Sequence, residues 1–181
     1  MKIFRTWPDV IPEGRTGYVV DEIPHYDLHM YDMRKIVELK EDILCIEWDL
    51  AFDKDEFLTF IDHAKEQPER VIVAPYRHYP EITGRPTAIW AHRRLDENGQ
   101  VIFIEEGEPT CHLFGFGMTY LPYKLLRGFC DDFLVRNPLA ELDDYLFSQW
   151  HYEHADDREV PITWDVRPVH LHFSTRGICD G

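Results

Sequence analysis

The sequence predicts an α/β fold, a mixed β-sheet flanked by helices, and three observations lead there. Residues Ile43 to Phe52, ILCIEWDLAF, hold a short continuous apolar run of the kind an interior strand needs. A helix signal follows at once: Asp53 stands as N-cap with Glu56 three residues on. Phe57, Phe60, Ile61 and Ala64 then share one helical face, and Pro68 ends the segment. Finally, strands and helices alternate through the first half with a hairpin in the middle, the pattern of an α/β domain.

At 181 residues, with 44% hydrophobic and 14% aromatic content, the chain reads as one globular domain spanning 1–181. The formal net charge of −15 argues against a nucleic-acid-binding surface and against docking on anionic lipid. It leaves room for an anionic substrate that a metal or local arginines neutralise. No apolar run approaches the roughly 18 residues of a membrane span. Prolines interrupt the first residues where a signal peptide needs an apolar core, so the expected location is cytoplasmic. Cys45, Cys111, Cys130 and Cys179 are scattered without a CxxC pair and read as reduced core thiols.

In chain order, Met1 to Asp27 carries Pro8, Pro12, Pro24, Gly14 and Gly17 and reads as mostly ordered loop with one short strand at Gly17 to Val20. Tyr31 to Lys40 reads as a short helix, then come the acid-tipped strand and the capped helix. Val71 to Ala74 is a second buried strand. Thr87 to His92 and Val101 to Glu105 flank the turn signal Asp96-Glu97-Asn98-Gly99 and read as a hairpin. The polar-aromatic stretch YRHYPEITGRP precedes it and is a loop of the kind that carries function. His112 to Tyr120, HLFGFGMTY, reads as an aromatic strand whose glycines let backbone approach a neighbour or a ligand. Pro122 opens a helix at its first position, running through Leu126. Asn137-Pro138 starts another, with Leu142, Leu146 and Trp150 on one side, and the last strands are Ile162 to Val166 and Val169 to Phe173.

Three constellations bear chemistry. Glu47 and Asp49 stand two apart at the end of the buried strand, so they share a face opposite Ile46 and Trp48. Two desolvated carboxylates need compensation, which Mg²⁺ or Mn²⁺ supplies with water and phosphate completing its shell; the alternative is an edge strand whose acids are solvated or ion-paired. His170 and His172 in VHLHF likewise share a face, as ligands or acid/base groups, or else as hydrogen-bonded core residues. Asp143-Asp144 sits near a helix start, where acids complement the helix dipole and where one carboxylate can serve as a general base if it faces the same cavity.

The order of these motifs resembles the GT-A class of nucleotide-sugar glycosyltransferases, in a small divergent form such as phages encode. The resemblance runs from Asp42 to Phe173. It implies that Glu47-Trp48-Asp49 is the acid-x-acid motif binding the metal and the diphosphate, with Trp48 beside the ligand. It also implies that Gly115, Phe116 and Gly117 of FGFGMTY border the acceptor, and that Asp144, or failing it Asp143, is the catalytic base. His172 or His170 would complete the shell of Mn²⁺ or Mg²⁺. The fold implied is a GT-A-like mixed sheet with a shortened N-terminal nucleotide-binding half, since only 46 residues precede Glu47.

The function that follows is metal-dependent transfer of a sugar from a nucleotide-diphospho-sugar donor to a glycan, protein or small-molecule acceptor. A metal-dependent sugar-nucleotide hydrolase is the first alternative, and a degenerate GT-A-like binding protein without catalysis the second.

Overall fold

The computed structural model describes residues 1–7, 26–29, 37–47, 50–78, 89–137, 144–170, 172–174 and 177–179. Its centre is a five-stranded sheet. β1 (Lys2–Trp7), β2 (Tyr26–His29) and β3 (Ile43–Glu47) run parallel, with β1 in the middle. Short β4 (Leu50–Ala51) follows, then α1 (Lys54–Glu66) and β5 (Ile72–Val73). The small pairs are β6 (Arg77–His78) with β7 (Ile89–Trp90), and β8 (Arg93–Leu95) with β9 (Val101–Phe103). After β10 (Thr110–Cys111), β11 (Met118–Leu121) enters the main sheet antiparallel between β3 and β5, giving the order β2-β1-β3-β11-β5. α2 (Tyr123–Phe129) and α3 (Asp144–His154) come next. β12 (Val160–Pro161) pairs with β10, β13 (Val169–His170) with β4, and β14 (His172–Ser174) with β15 (Gly177–Cys179).

The period-two alternation of β3 divides the core. Leu44 and Ile46 join Phe57, Phe60, Ile61 and Ala64 of α1 on one face of the sheet. Ile43 and Cys45 join Leu126, Phe129, Phe147 and Trp150 of α2 and α3 on the other. Ile43 through Ile46 are completely buried, the condition under which a strand reads as unbroken hydrophobic sequence. Each such aliphatic side chain contributes about 1.5–3 kcal/mol by leaving water. α1 begins as its sequence dictates: Glu56 N donates to Asp53 Oδ1 at 2.8 Å and Asp53 N donates to Glu56 Oε2 at 2.9 Å, a reciprocal capping box.

Several expectations are corrected. Lys2–Trp7 is not loop but a strand between two parallel neighbours, its polar residues tolerated because pairing on both sides decides the conformation. The hairpin around Asp96–Gly99 exists but is shifted: Arg93–Leu95 pairs with Val101–Phe103, while Ile89–Trp90 pairs with Arg77–His78. The turn is fixed by Asp96 Oδ1, which accepts from Asn98 N and Gln100 N, and by Gly99 at φ 76°. His112 to Gly117 is not a continuous strand: Leu113 makes an isolated antiparallel bridge to Arg93, and the strand proper is Met118–Leu121. Pro122 is the N-cap of α2, one position before the helix proper, and the coil continues through a π-helical turn, Cys130–Leu134. Ile162 makes a single bridge to Val73, and Val166 N donates to Thr163 O in a turn, so the strand expected at Ile162 to Val166 is absent. The expectations at Gly17 to Val20, at Tyr31 to Ile36 and at the start of the helix after Pro138 lie outside the described residues.

Cys45 and Cys111 are free and buried, and burial pushes both thiols far above their ordinary range; Cys130 is half-buried. Among the described residues no helix is long and apolar enough to cross a membrane.

Candidate functional site

β1 lies between β2 and β3, all parallel, so the chain leaves β1 toward one side and later returns on the other. In open α/β sheets ligands bind outside the carboxyl ends of strands at such a reversal. Glu47 is the last residue of β3, opposite Thr6 of β1. By alternation it continues the face of Ile43 and Cys45, toward α3. Its N–H donates to Gly117 O at 2.7 Å, which ties the strand end to the glycine-rich segment.

A cavity of about 240 Å³ opens there, lined by Glu47, Tyr76, Arg93, Gly115, Asp144 and Ser148 among others. It therefore gathers an acid from the end of β3, an acid from the first turn of α3 and the first glycine of the aromatic segment. Asp144 Oδ1 accepts from Tyr145 N at 2.7 Å, while a Cβ placed on Gly115 would stand 3.3 Å from Asp144 Oδ2. Thr119 Oγ1 donates to Gly115 O at 2.8 Å and closes the segment on itself.

Tyr76 forms the floor. It is buried, its ring meets His92 edge-on at 5.5 Å, and its carbonyl accepts from Ala91 N at 3.0 Å. His92 is held in turn by a 2.9 Å contact between its Nε2 and Ala74 O. The ring explains both glycines: a Cβ on Gly115 would overlap the Tyr76 hydroxyl, and one on Gly117 would overlap the ring carbons. The close approach that the glycines imply is thus to a neighbouring side chain. Phe116 between them turns into the core, 5.9 Å from the Phe147 ring, and is not among the cavity's lining residues.

Of the residues singled out in the sequence, Glu47, Gly115 and Asp144 meet at this cavity, and Gly117 lies against the Tyr76 ring without lining the cavity. Trp48, Asp49 and Asp143 lie outside the described residues. The backbone of His170 pairs with Leu50, the residue after Asp49, so the C-terminal strand runs beside the continuation of the acidic stretch. His172 follows on β14, paired with Cys179. Tyr76 and Arg93 are the site residues that the sequence reading did not single out. The signal for Tyr76 was present as two glycines with one residue between them, which leave a ring-sized gap, together with an aromatic loop to fill it.

For a divalent cation the donor chemistry is suitable: Glu47 and Asp144 offer hard oxygen, and Mg²⁺ is commonly held by one or two carboxylates plus water and phosphate. Among the described residues no cluster of three or more His, Cys, Asp or Glu gathers closely enough to hold an ion unaided.

The fold has a solved counterpart. The crystal structure of A197 from STIV superposes with a TM-score of 0.51 at 15% identity, covering 96% of this chain and 86% of that one. The likeness is one of fold. No family model and no curated protein sequence matches the chain.

Proposed function

We propose that the cavity between β3 and α3 is the reaction site of a metal-dependent glycosyltransferase of GT-A type, using a nucleotide-diphospho-sugar donor. The observation that carries the reading is the meeting of Glu47 and Asp144 at one cavity beside Gly115. These residues are far apart in sequence and are the ones that the order of GT-A motifs assigns to the cation and to the base.

The division of labour follows from position. Glu47, at the strand end beside the reversal in strand order, would hold the cation. The cation, when bound, neutralises the diphosphate as it departs. Asp144 accepts the proton of the attacking acceptor hydroxyl from its place in the first turn of α3. A volume of about 240 Å³ falls below the roughly 300–1,000 Å³ of sites for drug-sized ligands, so it suits one sugar ring, with the nucleotide extending outward.

The test is release of nucleoside diphosphate from a panel of uridine and guanosine diphospho-sugars with Mn²⁺. Release that requires an added acceptor supports transfer. Release with water alone identifies a hydrolase instead, and binding without release a degenerate relative.

A further inference from the structure

We propose that Arg93 is the anion-binding residue of this cavity, taking a phosphoryl or carboxylate group of the ligand on the N–H donors of its guanidinium. The proposal rests on the reading of the cavity as a substrate site and adds the chemical class of one ligand group.

Charge balance sets Arg93 apart. The chain has 34 acidic and 19 basic residues, so an arginine here has carboxylates in plentiful supply. Among the described residues, most of the other arginines have used them. Arg70 contacts Asp157, Arg77 and Arg167 contact Glu106, Arg94 contacts Glu108 and Glu159, Arg127 contacts Asp131, and Arg136 contacts Asp132. Arg158, the other described exception, lies over the Tyr152 ring on an exposed stretch. Arg93 has no carboxylate partner among the described residues, yet it is half-buried and lines the cavity that contains Glu47 and Asp144. Two carboxylates share its cavity and neither lies within ion-pairing reach of it.

What holds Arg93 is a cation–ring contact. Its guanidinium lies 5.2 Å from the Phe103 ring centroid, and Arg93 and Phe103 are directly paired across β8 and β9. The backbone is clamped too: Arg93 N donates to Leu113 O at 2.8 Å, and Arg93 O accepts from His112 N and Leu113 N. A contact with a ring satisfies none of the guanidinium's five N–H donors, so they remain for another partner. Those donors match a phosphate or carboxylate bidentately, and a side chain already held against a ring loses less freedom when an anion arrives. A purely structural arginine in so acidic a protein would be expected to close on a carboxylate, as its neighbour Arg94 does.

The phosphoryl group of a donor and the carboxylate of an acidic sugar share this chemistry, and two probes separate them. In the first experiment the full chain, without metal, is treated with phenylglyoxal, and modification of Arg93 is followed by peptide mass spectrometry. Pyrophosphate is added in one arm, glucuronate in a second and glucose in a third. The expected result is at least fivefold slowing of Arg93 modification by one anion and none by glucose. Protection by pyrophosphate assigns the donor phosphates, and protection by glucuronate assigns an acidic sugar. No protection by either anion, or equal protection by glucose, overturns the proposal. Calorimetry on Arg93→Gln is the second readout: tenfold or greater loss of affinity for the protecting anion, partly restored in Arg93→Lys, is expected, and unchanged affinity is the contrary result. Anion protection at Arg93 in a protein that shows no Mn²⁺-dependent nucleotide binding would sink the glycosyltransferase reading and leave this assignment standing.

Discussion

The ring of Tyr76 occupies the space where a side chain on Gly117 would begin: a Cβ there would fall 2.5 Å from Tyr76 Cζ and nearer still to Cε1. At Gly115 the obstacle differs, being the Tyr76 hydroxyl, with Cζ at an ordinary 3.5 Å. Gly117→Ala and Gly115→Ala should therefore each destabilise by about 1–3 kcal/mol, the usual cost of overpacking. Tyr76→Phe should relieve much of the cost at Gly115 and little at Gly117. Urea unfolding of the singles and doubles measures both couplings, and equal relief at the two sites would contradict the geometry.

Asp144→Asn preserves the shape of the cavity and removes its basic oxygen. Turnover should fall by roughly 10²–10⁴, the usual contribution of a positioned base, with nucleotide affinity little changed. Glu47→Gln should instead weaken binding that depends on Mn²⁺. Steady-state kinetics on the two variants separates the roles, and unaltered turnover in Asp144→Asn removes that residue from the mechanism.

His151 is buried among Phe114 and Phe147, and burial lowers its pKa from about 6.5 to about 4; Asp157 opposes the shift and Arg70 adds to it. Above pH 6.5 the imidazole is neutral whether the chain is folded or not. As pH falls from 6.5 toward 4 the unfolded chain takes up a proton that the folded chain refuses, so stability is lost across that window. The loss should approach about 3 kcal/mol near pH 4. The difference in unfolding free energy between wild type and His151→Gln, followed from pH 7.5 to 4, isolates this one group. A difference independent of pH would show that the imidazole is not held neutral.

The capping box at Asp53 offers a cleaner local test. Asp53→Ala should cost about 1 kcal/mol of stability without touching the cavity, because α1 covers the opposite face of the sheet.

What could be read from the sequence followed locality. The strand Ile43–Glu47 announces itself because it is buried on both faces, and α1 because its cap and apolar stripe are encoded within a few residues of one another. Lys2–Trp7 does not, since its strand conformation comes from pairing with Tyr26–His29 and Ile43–Glu47. At the site the two acids were legible from spacing and order. Tyr76 was legible only as a gap beside two glycines, because the ring that fills it comes from a segment distant in sequence. Arg93 escaped for a related reason: that it has no carboxylate partner among the described residues is visible only in three dimensions.

The most direct measurement is a calorimetric titration of uridine and guanosine diphosphate into the full chain, with and without Mn²⁺, on wild type and on Glu47→Gln. The account predicts binding of one nucleotide in wild type that requires Mn²⁺, weakened at least tenfold by Glu47→Gln in a protein with an unchanged melting temperature. Binding of neither nucleotide in the presence of Mn²⁺, or binding indifferent to both the metal and Glu47, would contradict it.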